Sequence, residues 1–179
     1  MVYLFLADGF ETIEALSPID MLRRADIPVT TVSVTGNIVV TSAHNVQIKA
    51  DILFEKASFS DAQMLVLPGG VPGTGNLAKF APLADLLLQA NNNGLWIAAI
   101  CAAPTILASL GLLKGKNATV YPGCENGYDD VNFTGGNVEQ AGNIITGKGP
   151  GCSHLFAAHI ISVLKNKQLS DSILSAMQF

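Results

Sequence analysis

A thiol, two carboxylates and a pair of glycines are the residues of this chain whose types and spacing can do chemistry. Cys101 stands between an apolar run, Gly94-Leu95-Trp96-Ile97-Ala98-Ala99-Ile100, and the segment Ala102-Ala103-Pro104-Thr105-Ile106-Leu107-Ala108-Ser109-Leu110. The first reads as a short buried strand and the second as a helix, because Pro104 suits a first helical turn. A thiol at such a junction meets the unpaired N–H groups and partial positive charge of a helix start, which favour thiolate. The sharp turn also lifts the side chain out of the sheet, as a nucleophile elbow does. The competing reading is an inert buried cysteine, the usual fate of a thiol in an apolar run.

Glu11 and Glu14 stand at the start of a helix-forming stretch. Glu11 there is favourable with the helix dipole and needs no other role. Glu14 lies further in, beside Ile13 and Leu16, and is expected to point inward over the strand ends. A buried carboxyl is harder to ionise, and its protonated form can donate a hydrogen bond to the Cys101 sulfur; an ionised Glu14 would repel a thiolate instead. Pro68-Gly69-Gly70 follows another apolar run, where glycine lets backbone N–H groups approach a ligand closely. With the N–H of Ala102, that of Gly70 forms a candidate oxyanion cradle. An ordinary tight turn is the alternative.

The elements that must position these residues alternate between strand and helix. Residues 2–7, 29–34, 64–67 and 94–100 read as buried strands, and 118–121 with 144–146 as two more. Residues 11–25 read as a helix kinked at Pro18, 77–90 and 102–110 as helices, and 153–165 with 170–177 as the last two. Residues 36–50 alternate as a small hairpin, and 122–136 read as irregular. Alternation of this kind predicts an α/β fold, a mostly parallel sheet with helices on both faces, within one domain spanning 1–179. Ligands in such sheets bind at the carboxyl ends of the strands, where Asp8-Gly9, Gly69-Gly70, Cys101 and Tyr121 all fall.

Composition excludes several classes. With 49% hydrophobic and 13% charged residues, the chain has enough apolar surface for a deep core. A net charge of −4 leaves no basic footprint for nucleic acid. Three widely spaced cysteines, Cys101, Cys124 and Cys152, are neither a disulfide framework nor a zinc pattern, and fit a reducing compartment. Residues 94–113 carry no charge and approach membrane-spanning length, but Pro104 and Gly111 interrupt them. Without a basic leader ahead of the first apolar run, a cytoplasmic protein with no membrane association is expected. No Walker loop, metal-ligand cluster or cofactor fingerprint is present, so no cofactor and no metal are expected.

Five ordered segments together resemble the ThiJ/PfpI superfamily, in its DJ-one branch, across almost the whole chain. They are Asp8-Gly9-Phe10-Glu11-Thr12-Ile13-Glu14, Asp20-Met21-Leu22-Arg23-Arg24-Ala25, Leu67-Pro68-Gly69-Gly70, Ala98-Ala99-Ile100-Cys101-Ala102-Ala103-Pro104-Thr105 and Gly147-Lys148-Gly149-Pro150-Gly151. The resemblance implies a flavodoxin-like three-layer sandwich and a homodimer. It implies Cys101 as the nucleophile, Glu14 as its carboxyl partner, and Gly70 and Ala102 as oxyanion donors. Relatives with glyoxalase or deglycase activity commonly carry a histidine where this chain has Tyr121. A phenol hydrogen-bonds but is a poor general base at neutral pH.

Accessory candidates are therefore Tyr121 itself and His44, which in the resembling dimers approaches the partner's site. His154 and His159 on the last long helix read more readily as structural histidines, as do Cys124 and Cys152 as structural thiols. Arg23-Arg24 reads as a surface or dimer contact. The leading functional reading is chemistry on small reactive carbonyls, glyoxalase- or deglycase-like, in stress protection. The alternatives are an oxidative-stress sensor forming a Cys101 sulfinate, an amidase- or protease-like hydrolase, and a chaperone-like binder. The hydrolase reading is weakened by the missing histidine.

Overall fold

Every residue of β1 (Val2–Leu6) is buried, yet its side chains alternate between two separate cores. Val2, Leu4 and Leu6 enter one, while Tyr3, Phe5 and Ala7 enter the other. That is the signature of a strand covered on both faces, and it explains an apolar run without polar alternation. A computed structural model describes all 179 residues, Met1–Phe179.

The remaining elements follow in chain order. Helix α1 (Thr12–Arg24) leads to β2 (Val29–Ser33), the hairpin of β3 (Val39–Thr41) and β4 (Gln47–Lys49), and β5 (Ile52–Leu53). Then come β6 (Met64–Leu67), α2 (Gly73–Lys79), α3 (Ala81–Asn92), β7 (Trp96–Ile100) and α4 (Pro104–Ser109). The chain continues through β8 (Asn117–Ala118), β9 (Asn132–Phe133), β10 (Val138–Ala141), β11 (Ile144–Gly147), α5 (Ser153–Leu164) and α6 (Lys167–Ala176).

Seven strands form the central sheet in the order β10-β11-β7-β6-β1-β2-β5. All its pairings are parallel except β10 with β11. Residues of α1 and α5 fill the core on one face, with α6 packed against it, and α2, α3 and α4 fill the other. This is the α/β layering that the alternation predicts. From β1 the chain runs outward to β2 and β5, then crosses back to β6 on the other side, so the strand order reverses between β1 and β6. Backbone closes that crevice: Glu11 N–H donates to the Gly69 carbonyl at 2.9 Å, and Gly73 N–H to the Gly9 carbonyl at 3.1 Å. A Cβ on Gly70, whose φ is +99°, would collide with the Glu11 and Gly9 backbone.

Three expectations need correction. Residues 77–90 are not one helix: α2 stops at Lys79 and α3 starts at Ala81. Pro82 cannot donate back to residue 78 and its ring would meet that carbonyl, so the chain must restart. The strand expected over 118–121 is only Asn117–Ala118, and it pairs with β9 outside the central sheet. That pairing also places a strand, Asn132–Phe133, inside the segment expected to be irregular. The edge strand β10, Val-Glu-Gln-Ala, has no apolar run to announce it. Pro18 lies inside α1, which runs from Thr12 to Arg24. No helix is long and apolar enough to cross a membrane.

Candidate active site

Cys101 leaves the carboxyl end of β7 in the left-handed region, with φ +64°. A side chain there is strained, at a cost of roughly 1–2 kcal/mol, so the surrounding structure must hold it. The backbone does so from both sides. Cys101 N–H donates to the Gly147 carbonyl at 2.9 Å, and its carbonyl accepts the Tyr121 N–H at 2.8 Å. The residue is buried, with 8% of its surface exposed. The backbone N–H groups of Ala102 and Gly70 act on its sulfur to favour the charged form.

Glu14 arrives from α1. Its neighbours on the buried face are Ala15, Pro18, Ile19, Met21 and Leu22, and it is itself fully buried. Glu11 is the residue capping this helix: its Oε2 accepts the Glu14 N–H at 2.9 Å. Glu14 Oε2 in turn accepts the Gly69 N–H at 2.8 Å. Its other oxygen, Oε1, is buried and has no hydrogen-bond partner. The carboxyl lies next to the Cys101 side chain, both within 3 Å of the place a Cβ on Gly69 would occupy. Gly69 has to be glycine for this contact, since a Cβ there would lie 2.7 Å from the Cys101 Cβ and 2.8 Å from Glu14 Oε2.

Burial sets the electrostatics. Loss of solvent pushes the Glu14 carboxyl up to about 7, against the opposing pull of the Cys101 and Gly69 hydrogen bonds; Glu11 adds a smaller upward push. Burial, followed by the Glu14 charge, pushes the Cys101 thiol up to about 12, while the Ala102 and Gly70 N–H groups pull it down. The expected low-pKa thiol is thus corrected: α4 begins three residues beyond Cys101, and burial outweighs the donors. The two groups interact directly and titrate as a pair. The pair loses one proton near 7 and a second near 12, so over the range between them it carries a single negative charge and one proton to share. In that range the charge rests mainly on Glu14 and the proton on Cys101, and the reactive thiolate is the minor form in which the proton has passed to Glu14, favoured by the Ala102 and Gly70 N–H groups.

Cys101, Glu14, Gly70 and Ala102 lie together at the carboxyl ends of β6 and β7. Tyr121 lies beside them through its backbone, with its half-exposed ring against Gly149. His44 sits on the hairpin turn, its Nδ1 4.0 Å from Glu11 Oε1 and its ring largely in solvent. His154 stacks on Phe179 and His159 bonds Gln140 Oε1 at 2.7 Å. Cys124 follows Tyr121 in a turn, where burial and Glu125 push its thiol up. Cys152 is half-buried at the end of the turn before α5. Arg23 bonds the Val29 carbonyl and Asp51, and Arg24 bonds Asp20, all at the surface. Two contributors escape the sequence reading. Glu11 acts as a cap although the usual capping residues are shorter, and Gly69 supports Glu14 although the Gly-Gly pair pointed only to Gly70.

The model of the DJ-1/PfpI family matches residues 1–163. Protein dj-1beta of Drosophila melanogaster is 37% identical over 167 residues, covering 91% of this chain and 88% of that protein. A Pyrococcus abyssi protein named as a deglycase is 29% identical over 167 residues, covering 92% of this chain and 99% of its own. The structure of oxidized Toxoplasma gondii DJ-1 superposes with a TM-score of 0.95 at 34% identity, covering 99% of this chain and 97% of that one. Sequence and backbone agree over nearly the full length, and the chain belongs to the DJ-1/PfpI family.

Proposed function

We propose that the chain acts on small reactive carbonyls, glyoxalase- or deglycase-like, in protection against carbonyl stress. The observation that carries this reading is the buried Glu14 carboxyl packed beside Cys101 across Gly69, at the strand ends that also present Gly70 and Ala102. For a 2-oxoaldehyde, the Cys101 sulfur forms a bond to the aldehyde carbon and the carbonyl π pair moves to oxygen. That oxygen is two bonds from sulfur, within reach of the same two N–H donors. Glu14 delivers its proton there, giving a hemithioacetal, and as carboxylate then takes the proton from the former aldehyde carbon. Reprotonation at the neighbouring carbon gives a hydroxyacyl thioester. Water cleaves it to a 2-hydroxy acid and free Cys101. Oxidation of one carbon is balanced by reduction of its neighbour, so no external oxidant is needed, and neither is glutathione.

The relative named as a deglycase supports this class of substrate. A pair of Cys101 and Glu14 also meets the proton demands without a histidine at position 121. The direct test is lactate formation from methylglyoxal without glutathione. Turnover by the wild type and none by Cys101→Ser is expected; equal rates in both would remove the reading.

The working unit in this reading is a homodimer. The hairpin is stitched to the start of α1, with Thr12 Oγ1 donating to Ser42 Oγ at 2.9 Å and Ala43 N–H to the Phe10 carbonyl at 2.8 Å. Ile13 and Leu16 of α1 and Val39 and Val46 of the hairpin region are exposed apolar side chains of these joined elements. They are the surface on which two copies would pair.

A further inference from the structure

Asparagine followed by glycine occurs twice in the chain, at Asn93-Gly94 and at Asn126-Gly127. In such a pair the glycine nitrogen, with no side chain beside it, can attack the asparagine side-chain carbonyl. All four residues are exposed, so access to water does not distinguish the two sites. Hydrogen bonding does. Asn93 caps the end of α3, where its N–H donates to the Gln89 carbonyl at 3.0 Å and the Gly94 N–H to the Asn91 carbonyl at 3.1 Å. The attacking nitrogen at that site is therefore engaged. Asn126 and Gly127 are the central residues of a turn closed by the Tyr128 N–H on the Glu125 carbonyl at 3.3 Å. The Gly127 N–H bonds no backbone carbonyl, and nothing lies within 4 Å of the place a Cβ would occupy there.

We propose that Asn126 is a modification site that deamidates spontaneously in the folded chain, whereas the fold protects Asn93. The Gly127 nitrogen forms a bond to the Asn126 side-chain carbonyl carbon, and the side-chain nitrogen leaves as ammonia, carrying the Gly127 proton. Water then opens the cyclic imide at either carbonyl, giving aspartate or isoaspartate. The product places a new carboxylate in a loop that already carries Glu125, Asp129 and Asp130. Isoaspartate also lengthens the backbone path of the turn by a methylene. Both changes fall close to Cys124, whose thiol is already pushed up by burial and by Glu125. The same segment begins at Tyr121, whose N–H donates to the Cys101 carbonyl at 2.8 Å. The reaction itself uses neither Cys101 nor Glu14, so it stands independently of the carbonyl chemistry.

The test is to incubate the full chain at mildly alkaline pH, digest it, and follow the one-dalton gain of each asparagine peptide by mass spectrometry. In the folded chain Asn126 should convert about tenfold faster than Asn93, the effect of the one net hydrogen bond held at Gly94. In guanidinium chloride, which releases the end of α3, the two rates should converge. Asn126→Gln should remove the gain from its peptide, because the larger glutamine imide ring closes slowly. The proposal is overturned if Asn126 gains no mass in the folded chain, if Asn93 converts as fast, or if unfolding leaves the ratio of the two rates unchanged.

Discussion

Glu14 shows how a single buried group ties reactivity to stability. An acid whose folded-state pKa lies above its unfolded value keeps its proton longer when folded. Between the ordinary value of 4.5 and about 7, the folded chain holds a proton that the unfolded chain has released. Stability from this group is therefore present below the unfolded value and lost as pH rises through 7, by about 3 kcal/mol at most. Glu14→Gln has no such proton to lose. Its stability relative to wild type should rise by about 2–3 kcal/mol between acid and pH 8 in urea unfolding; a difference independent of pH would show that Glu14 is not buried as described. At this scale the sequence was informative about chemistry and silent about support. Cys101 and Gly70 stand out as a reactive and a permissive residue just past strand ends, Ala102 as the N–H following Cys101, and Glu14 as a carboxyl inside an apolar helix face. Gly69 and the Glu11 cap do not, because their roles depend on which backbone atoms the fold brings within 3 Å.

The elements divide by burial. Strands β1, β6 and β7 are buried along almost their whole length, so their apolar runs announce them. Strand β10 lies at the sheet edge with exposed and half-exposed residues, and only its pairing with β11 defines it. Helix α1 is where an element most directly serves the site. Its first turn is held by the Glu11 carboxylate on the Glu14 N–H, so the cap fixes the backbone of the residue that faces Cys101. Glu11→Ala should cost about 1 kcal/mol of stability, with Glu11→Asp recovering most of it, since aspartate is a better capping residue. Equal losses in both variants, measured by urea unfolding, would mean that the carboxylate does not cap the helix.

At the scale of the whole molecule, the sheet's carboxyl edge gathers loops from β1, β6, β7 and β11 around one sulfur. The point where strand order reverses is closed by glycine-lined backbone contact, and the reactive pair lies beside it, over β6 and β7. This layout was legible from the alternation of strands and helices, whereas only the family resemblance points to an assembly of two copies. If Ile13, Leu16, Val39 and Val46 meet a second copy, light scattering should give twice the 18.7 kDa chain mass. Leu16→Glu should then yield monomers; a wild type that is monomeric at working concentration would remove the dimer from the account.

The central claim is that Cys101 and Glu14 ionise as one unit, and the rate of Cys101 alkylation by iodoacetamide against pH tests it most directly. The wild type should show an inflection near pH 7, with the rate rising about tenfold from pH 6 to 8, as a single ionisation near 7 requires. Glu14→Gln should lose that inflection and gain reactivity only at more alkaline pH. The same inflection in both proteins would contradict the account, because the proton released near 7 would not belong to the Glu14–Cys101 pair.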